Sequence, residues 1–357
     1  MKLGIIGLPA SGKSTLFRAL TGGLESGDRK SHQEPGLGVV TVDDPRLEVL
    51  AEYYHPKKVT PVHVEYLDIA GLTGEGKPGR SIGDKLLALI RPVDALVHCV
   101  RFFDSPALGQ AEPLRDFKAI EDEMILSDLV IVERRLDRVS KDMQKGRKEL
   151  AEEADLLRQA AAVLEEGKPL RVSPAVVESD KLKGFSFLSS RPELVILNAG
   201  EDKNPADIQS AVEEIKQIVS DQPGVRVDSL YADTEAEIAR LSPEDAAEFL
   251  KDLRLEEGAK SRIIKRSFSL LNLIVFFTVG EPEVRAWPLE KTQTALKAAG
   301  TVHTDMERGF IRAEVVAFED FQKAGSMQAA HKAGKVRLEG KEYQVKDGDI
   351  ILFRFNV

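Results

Sequence analysis

The strongest chemical signal in the chain lies near its amino terminus. Gly7-Leu-Pro-Ala-Ser-Gly-Lys-Ser-Thr15 fits the spacing G-x-x-x-x-G-K-[ST] of a phosphate-binding loop. Glycines let a backbone curl around an anion without side-chain clash. Successive N–H groups and the positive end of a following helix then face the phosphates. In such a loop Lys13 reaches the β- and γ-phosphates and the Ser14 hydroxyl ligates Mg²⁺. A second pattern is Asp68-Ile-Ala-Gly71, where the Asp holds the water shell of Mg²⁺ and Gly71 lets a backbone N–H approach a γ-phosphate. GTPases of the Ras type place a water-orienting Gln after this glycine; here the residue is Leu72, which cannot hydrogen-bond to water. Gly74-Glu-Gly-Lys-Pro-Gly79 behind it has the glycine content of a switch loop. A third pattern is Asn198-Ala-Gly-Glu201. Guanine-specific sites carry Asn-Lys-x-Asp, and the Asp accepts from guanine N1–H and N2–H₂. With Ala199 and Glu201 the carboxylate is displaced from that edge, and Asn198 or nearby carbonyls accept from adenine N6–H₂. The site reads as turned from guanine toward ATP.

These residues need strand ends and helix starts to position them. Leu3–Leu8 is an apolar run with the look of a buried strand, and Leu16, Phe17, Ala19 and Leu20 have helical spacing. Further strands are expected at Gly38–Val42, Val62–Leu67, Ala95–Val100, Glu193–Leu197 and Val225–Ala232, with helices at about Gly83–Ile90 and Pro205–Val219. Alternation of this kind predicts an α/β fold with a parallel sheet covered on both faces.

Two segments depart from it. From about Ile125 the apolar positions are Leu129, Val132, Leu136, Val139 and Met143, then Leu150, Ala154, Leu157, Ala161 and Leu164. This is a coiled-coil seam on two helices. Lys145-Gly-Arg147 is the turn, so the arms fold back as an antiparallel hairpin with Lys141, Lys145, Arg147 and Lys148 at its tip. A basic helix is expected at about Gly258–Leu271, with Lys260, Arg262, Lys265 and Arg266 on it. After it come strand-like runs at Leu273–Val279, Val284–Pro288, Gln344–Val345 and Ile350–Phe355, with one helix over Thr292–Ala299: a small α+β module. The expected division is 1–120 with 190–271 for a nucleotide-binding domain, 121–189 for the inserted hairpin, and 272–357 for the C-terminal domain.

Composition narrows the class. The chain has 357 residues and a formal net charge of −9, which argues against generic nucleic-acid coating. Its one cysteine, Cys99, sits in an apolar run and reads as a core residue. No apolar run is long enough to span a bilayer, and Met1 leads straight into the first strand, so a cytoplasmic protein without membrane association is expected; a monomer is the expected state, although nothing in the sequence fixes it.

Together these features resemble the YchF / Obg-like ATPase family of P-loop NTPases, over essentially the whole chain. The resemblance is carried by Asp43-Asp-Pro-Arg-Leu47, Asp68-Ile-Ala-Gly-Leu72, Ile90-Arg-Pro-Val-Asp-Ala-Leu-Val-His98, and Asn198 with Glu201. Val284-Arg-Ala-Trp287, Ala299-Gly-Thr-Val-His-Thr-Asp305, Gly309-Phe-Ile-Arg-Ala-Glu314 and Gly348–Val357 are similar to a TGS domain of β-grasp fold. The implied fold is a P-loop G-domain with an inserted antiparallel coiled-coil hairpin and a C-terminal β-grasp (TGS) domain. The implied activity is ATP-preferring, Mg²⁺-dependent hydrolysis in association with ribosomes; GTP is the alternative nucleotide, and the basic cluster at the hairpin tip reads either as a solvated helix face or as an RNA contact. By position, Ala10, Ser11, Gly12, Lys13, Ser14 and Thr15 hold the phosphates, Ser14 and Asp68 the metal, and Asn198, Glu201 and Ala232 the base; Lys13 and Gly71 act in catalysis.

The chain departs from the family at three places. Ala10 stands where the family has an Asn linked to a monovalent cation. Ser31-His-Gln-Glu-Pro35 puts His32 where a switch Thr completes the Mg²⁺ shell. The loop Phe103–Glu112 lacks the family's catalytic His, leaving Gln110 as the nearby side chain able to orient water. Three functions compete: an ATP-driven switch, a small-molecule kinase, and a nucleotide-sensing scaffold that turns over slowly or not at all.

Overall fold

The computed structural model describes residues 1–22, 36–68, 88–242, 244–246, 248 and 258–356. The chain forms two compact units, one of Met1–Val40 with Glu65–Leu270, the other of Thr41–Val64 with Leu271–Val357.

The first unit is built on a six-stranded sheet. Its strands are β1 (Lys2–Ile6), β2 (Gly36–Thr41), β4 (His63–Asp68), β5 (Ala95–Phe102), β6 (Glu193–Ala199) and β7 (Val225–Leu230), in the order β2-β4-β1-β5-β6-β7. The short β3 (Val59–Thr60) belongs to the second unit. Pairings of β1 with β4 and β5, of β5 with β6, and of β6 with β7 are parallel. β6 is buried along its whole length and β5 all but its last residue, which explains their unbroken apolar character. The chain turns from one side of β1 to the other between β4 and β5. Ligands of open α/β sheets bind at such a switch point, beyond the carboxyl ends of the strands. The phosphate-loop pattern begins there, directly after β1.

Residues 113–144 form one helix, longer than the period change at Ile125 suggests. Its first turns bury Phe117, Ile120 and Met124 against the sheet. Only beyond Ile125 does it carry the hairpin seam, where Val132 and Val139 pack with Ala154, Leu157 and Leu164 of the second arm, Ala151–Glu165. Gly146 at the turn has φ +100°, which its lack of a side chain permits. The tip is less cationic than its sequence reads. Lys141 pairs with Asp137, while Lys145 and Arg147 lie 3.7 Å from Asp142.

The helix Ala259–Leu270 covers the exposed edge of the sheet. Arg262 and Arg266 each place Nε 3.1 Å from Asp228 of β7. They also donate to the Ser229 and Val227 carbonyls, which alternate along that open edge. The second basic cluster therefore satisfies unpaired strand groups.

The second unit holds another six-stranded sheet. Its remaining strands are β8 (Leu273–Thr278), β9 (Val284–Glu290), β10 (Phe310–Ala317), β11 (Arg337–Glu339) and β12 (Asp349–Phe355), in the order β11-β10-β12-β8-β9-β3. The antiparallel β8–β9 hairpin, the parallel β8–β12 pair and the helix Ala295–Val302 give the β-grasp arrangement. That helix buries Ala295, Ala298 and Ala299 against Ile274, Phe276, Phe310 and Phe353. Thr294 caps it, so it starts later than the sequence reading places it. β10 and the helices Phe318–Ala324 and Met327–Lys332 were not expected from the sequence. Gln344 makes a single bridge to Thr294 rather than a strand. Thr41–Val64, read as part of the nucleotide-binding domain, lies in this unit: Arg46 bonds Asp347 at 2.6 Å, and β3 pairs with β9.

Candidate nucleotide site

The loop between β1 and the helix Lys13–Thr21 has the backbone its glycines allow. Gly7 and Gly12 have φ +146° and +93°. A Cβ on Gly7 would lie 2.3 Å from the Cys99 carbonyl oxygen, and one on Gly12 would lie 2.0 Å from Asn198 Nδ2. Ala10 also has positive φ, +62°. An asparagine tolerates that region better than an alanine does. The helix that follows has no acidic residue of its own in its first turn.

Lys13 is buried and donates to the carbonyls of Gly7 at 3.0 Å and Leu8 at 2.8 Å. Burial pulls its pKa below the ordinary lysine value, against the opposing pull of Cys99 and Asp68. Such an ammonium gains by meeting an anion. Ser14 is exposed, and its hydroxyl donates to Asp68 Oδ2 at 3.1 Å. This brings together, from the end of β4 and the first turn of the helix Lys13–Thr21, two hard oxygen donors. A set this small fits Mg²⁺, which keeps most of its shell as water and phosphate oxygens. Among the described residues no group of three His, Cys, Asp or Glu side chains is placed to hold a metal by itself. Thr15 accepts from Arg18 at 3.3 Å. Cys99 is a core residue, its Sγ 3.3 Å from the Ser11 carbonyl, and burial pushes its thiol up to about 12.

Asn198 sits at the end of β6 with both amide atoms engaged. Nδ2 donates to the Ser11 carbonyl at 3.0 Å, and Oδ1 accepts from the Ala232 N–H at 3.2 Å. It thereby ties the end of β6 to the phosphate loop and to the start of the helix Ala232–Ile238. Glu201 is close to Thr234, whose hydroxyl donates to it at 3.4 Å. Asn198, Glu201 and Ala232 are thus neighbours, and Asn198 links them to the phosphate loop. Asn198→Ala removes both bonds and loosens three loops at once. Nucleotide affinity is expected to fall about tenfold to a hundredfold, from two hydrogen bonds of about 1 kcal/mol each and the groups they leave unpaired; titration calorimetry measures it. Gly71, Leu72, Gly74–Gly79 and Ser31–Pro35 with His32 lie outside the described residues.

Two residues near the site were missed. Phe103 approaches both Gly12 and Gly200, since a Cβ on Gly200 would stand 2.6 Å from Phe103 Cβ. Arg101, buried, donates to the carbonyls of Phe103, Gly109 and Gln110 at 2.9, 3.0 and 2.9 Å. A charged residue ending a run as apolar as Ala95–Val100 was the signal available. Gln110 contributes its carbonyl to that cage.

Fold and loop geometry define a P-loop NTPase of the GTPase type. Comparison with known proteins agrees. The family described as "50S ribosome-binding GTPase" matches residues 2–149, and the YchF-GTPase C-terminal family, described as "Protein of unknown function (DUF933)", matches residues 273–356. The chain is 42% identical over 368 residues to "Ribosome-binding ATPase YchF" of Haemophilus ducreyi, spanning 100% of this chain and 99% of that one. It is 34% identical to "Obg-like ATPase 1" of Oryza sativa subsp. japonica, over 100% of this chain and 92% of the other. A solved structure, that of the Schizosaccharomyces pombe YchF GTPase, superposes with a TM-score of 0.84 at 30% identity, covering 99% and 97% of the two chains. The chain belongs to the YchF family.

Proposed function

We propose that this protein is an ATP-preferring, Mg²⁺-dependent hydrolase that serves as a ribosome-associated conformational switch. The observation that carries the nucleotide reading is the loop itself: an anion cradle with a buried lysine, beside Ser14 and Asp68 at 3.1 Å. Ala10–Thr15 hold the phosphates in this reading, and Lys13 draws charge from the γ-phosphate as the leaving oxygen departs. Mg²⁺ would supply neutralisation of charge shared between the β- and γ-phosphates. Gly71 contributes a backbone N–H. Preference for adenine is supported by Ala199 and Glu201 in place of the guanine-reading Lys and Asp. The ribosome enters through the relatives' names, among them "Ribosome-binding ATPase YchF".

Leu72 and the absence of a histidine from Phe103–Glu112 support a second reading, a nucleotide-sensing scaffold with slow or no turnover. Phosphate release from ATP and GTP with Mg²⁺, with and without ribosomes, separates the two. The switch requires ATP turnover above GTP turnover and stimulation by ribosomes. Tight ATP binding with no turnover under either condition leaves the scaffold.

A further inference from the structure

We propose that Lys203 is a positioning residue for the nucleotide, latching the loop after β5 onto the loop after β6. The proposal rests on the nucleotide reading above and deepens it.

Lys203 Nζ lies 2.9 Å from Asp104 and 3.0 Å from Asp202, and 5.9 Å from the centre of the Phe102 ring. Its side chain is only 18% exposed, so the ammonium is partly shielded. The other oxygen of Asp104 accepts from the Ala111 N–H at 2.9 Å, so one carboxylate joins both ends of residues 104–111 to the β6 loop. Each partner favours the charged form of the other: Lys203 holds Asp104 below the usual carboxylate range, and Asp104 with Asp202 holds Lys203 above the usual lysine value. The two loops also meet through the Gly200 N–H, which donates to the Phe102 carbonyl at 3.1 Å. Arg101 fixes residues 103–110 from inside. Lys203 fixes them from outside.

The latched loop spans both halves of the site. Phe103 stands beside Gly12 and Gly200, and Ala107 and Leu108 share a cavity of about 300 Å³ with Leu8, Pro9 and Ser11 of the phosphate loop. Guanine-specific sites carry their lysine directly after the Asn; here that position is Ala199, and Lys203 braces the same loop toward a different partner. Loosening the latch frees residues 103–111 and removes order that the nucleotide otherwise finds in place.

Lys203→Gln in the full chain tests this by two readouts. Amide hydrogen exchange without nucleotide should quicken at Ala111 and over Ser105–Gly109. Affinity for a fluorescent Mg·ATP analogue should fall about fivefold, the scale of one partly shielded ion pair. Lys203→Arg, which keeps the charge facing Asp104 and Asp202, should recover most of the affinity, and the unfolding midpoint should stay unchanged. Unchanged exchange, unchanged affinity, or affinity lost only in step with stability overturns the proposal. If the parent chain itself shows no Mg²⁺-dependent binding, the nucleotide reading fails and the latch's role with it. If the parent binds and Lys203→Gln binds equally, only the latch fails.

Discussion

Lys13→Ala will bind Mg·ATP at least about a hundredfold more weakly than the parent, while the unfolding free energy of the nucleotide-free protein changes by about 1 kcal/mol or less. The lysine ammonium is held by two carbonyls at 3.0 and 2.8 Å within the glycine loop, where the proposed function places the phosphates. Charge-assisted hydrogen bonds are worth about 1.5–3 kcal/mol each, and two such bonds to phosphate oxygens correspond to a loss of about two to four powers of ten. The nucleotide-free protein loses much less, because the same ammonium is held there against its own desolvation, which pulls its pKa down. Lys13→Arg should not rescue binding, since a planar guanidinium cannot occupy the point between the two carbonyls. Calorimetry with ATP, paired with urea unfolding, measures both quantities. Near-parent affinity in the Ala variant would remove Lys13 from the phosphate site.

How much of this was legible depended on the range of the interactions. The phosphate loop is local: its glycines, lysine and serine sit at fixed offsets and must follow a strand, so pattern and geometry coincide. The hairpin was equally readable, because a seam repeats in sequence and Gly146 marks its turn. Asn198 was readable only as a member of a pattern. Its actual bonds reach Ser11 and Ala232, residues on two other loops, and no spacing within Asn198–Glu201 encodes them. Arg262 and Arg266 show the same limit. A basic stretch on a helix reads as a solvated face, yet what it satisfies is the open edge of β7. In the second unit β10 was missed because Phe310–Ala317 mixes outward Ile311 and Arg312 with inward Ala313 and Val315, blurring the alternation. β3 was missed because two residues carry no period at all.

Arg171→Met will destabilise the nucleotide-binding unit by about 3–5 kcal/mol, whereas Glu121→Gln at pH 7 will leave it as stable as the parent or more so. Four buried groups from four segments meet here. Arg171 follows the second hairpin arm and bonds Glu193 of β6 at 2.5 Å and Glu121 of the long helix at 3.3 Å. His98 of β5 lies 2.8 Å from the other oxygen of Glu193. Removing the guanidinium leaves the Glu193 carboxylate without its main counter-charge in a site where it is 0% exposed. The two carboxyls differ in state. Burial alone would raise both, but Arg171 and His98 hold Glu193 well below its usual range. Burial and the neighbouring Glu193 charge push Glu121 well above it. The shift favours the protonated form of Glu121, which Gln imitates. The pH dependences are opposite in sign. Stability from the depressed Glu193 is present above the ordinary Glu pKa of about 4.3 and is lost as pH falls through its folded value. Stability from the raised Glu121 is full below about 4.3 and is lost as pH rises through its folded value. Glu121→Gln deletes that second dependence, so urea unfolding should show the variant gaining on the parent as pH rises. A Gln variant that loses ground with rising pH would mean Glu121 is ionised in the fold. β5 carries His98 into this network and, one residue on, sets Cys99 against the Ser11 carbonyl. The network that roots the hairpin is thus one residue removed from the backbone of Ser11 in the glycine loop.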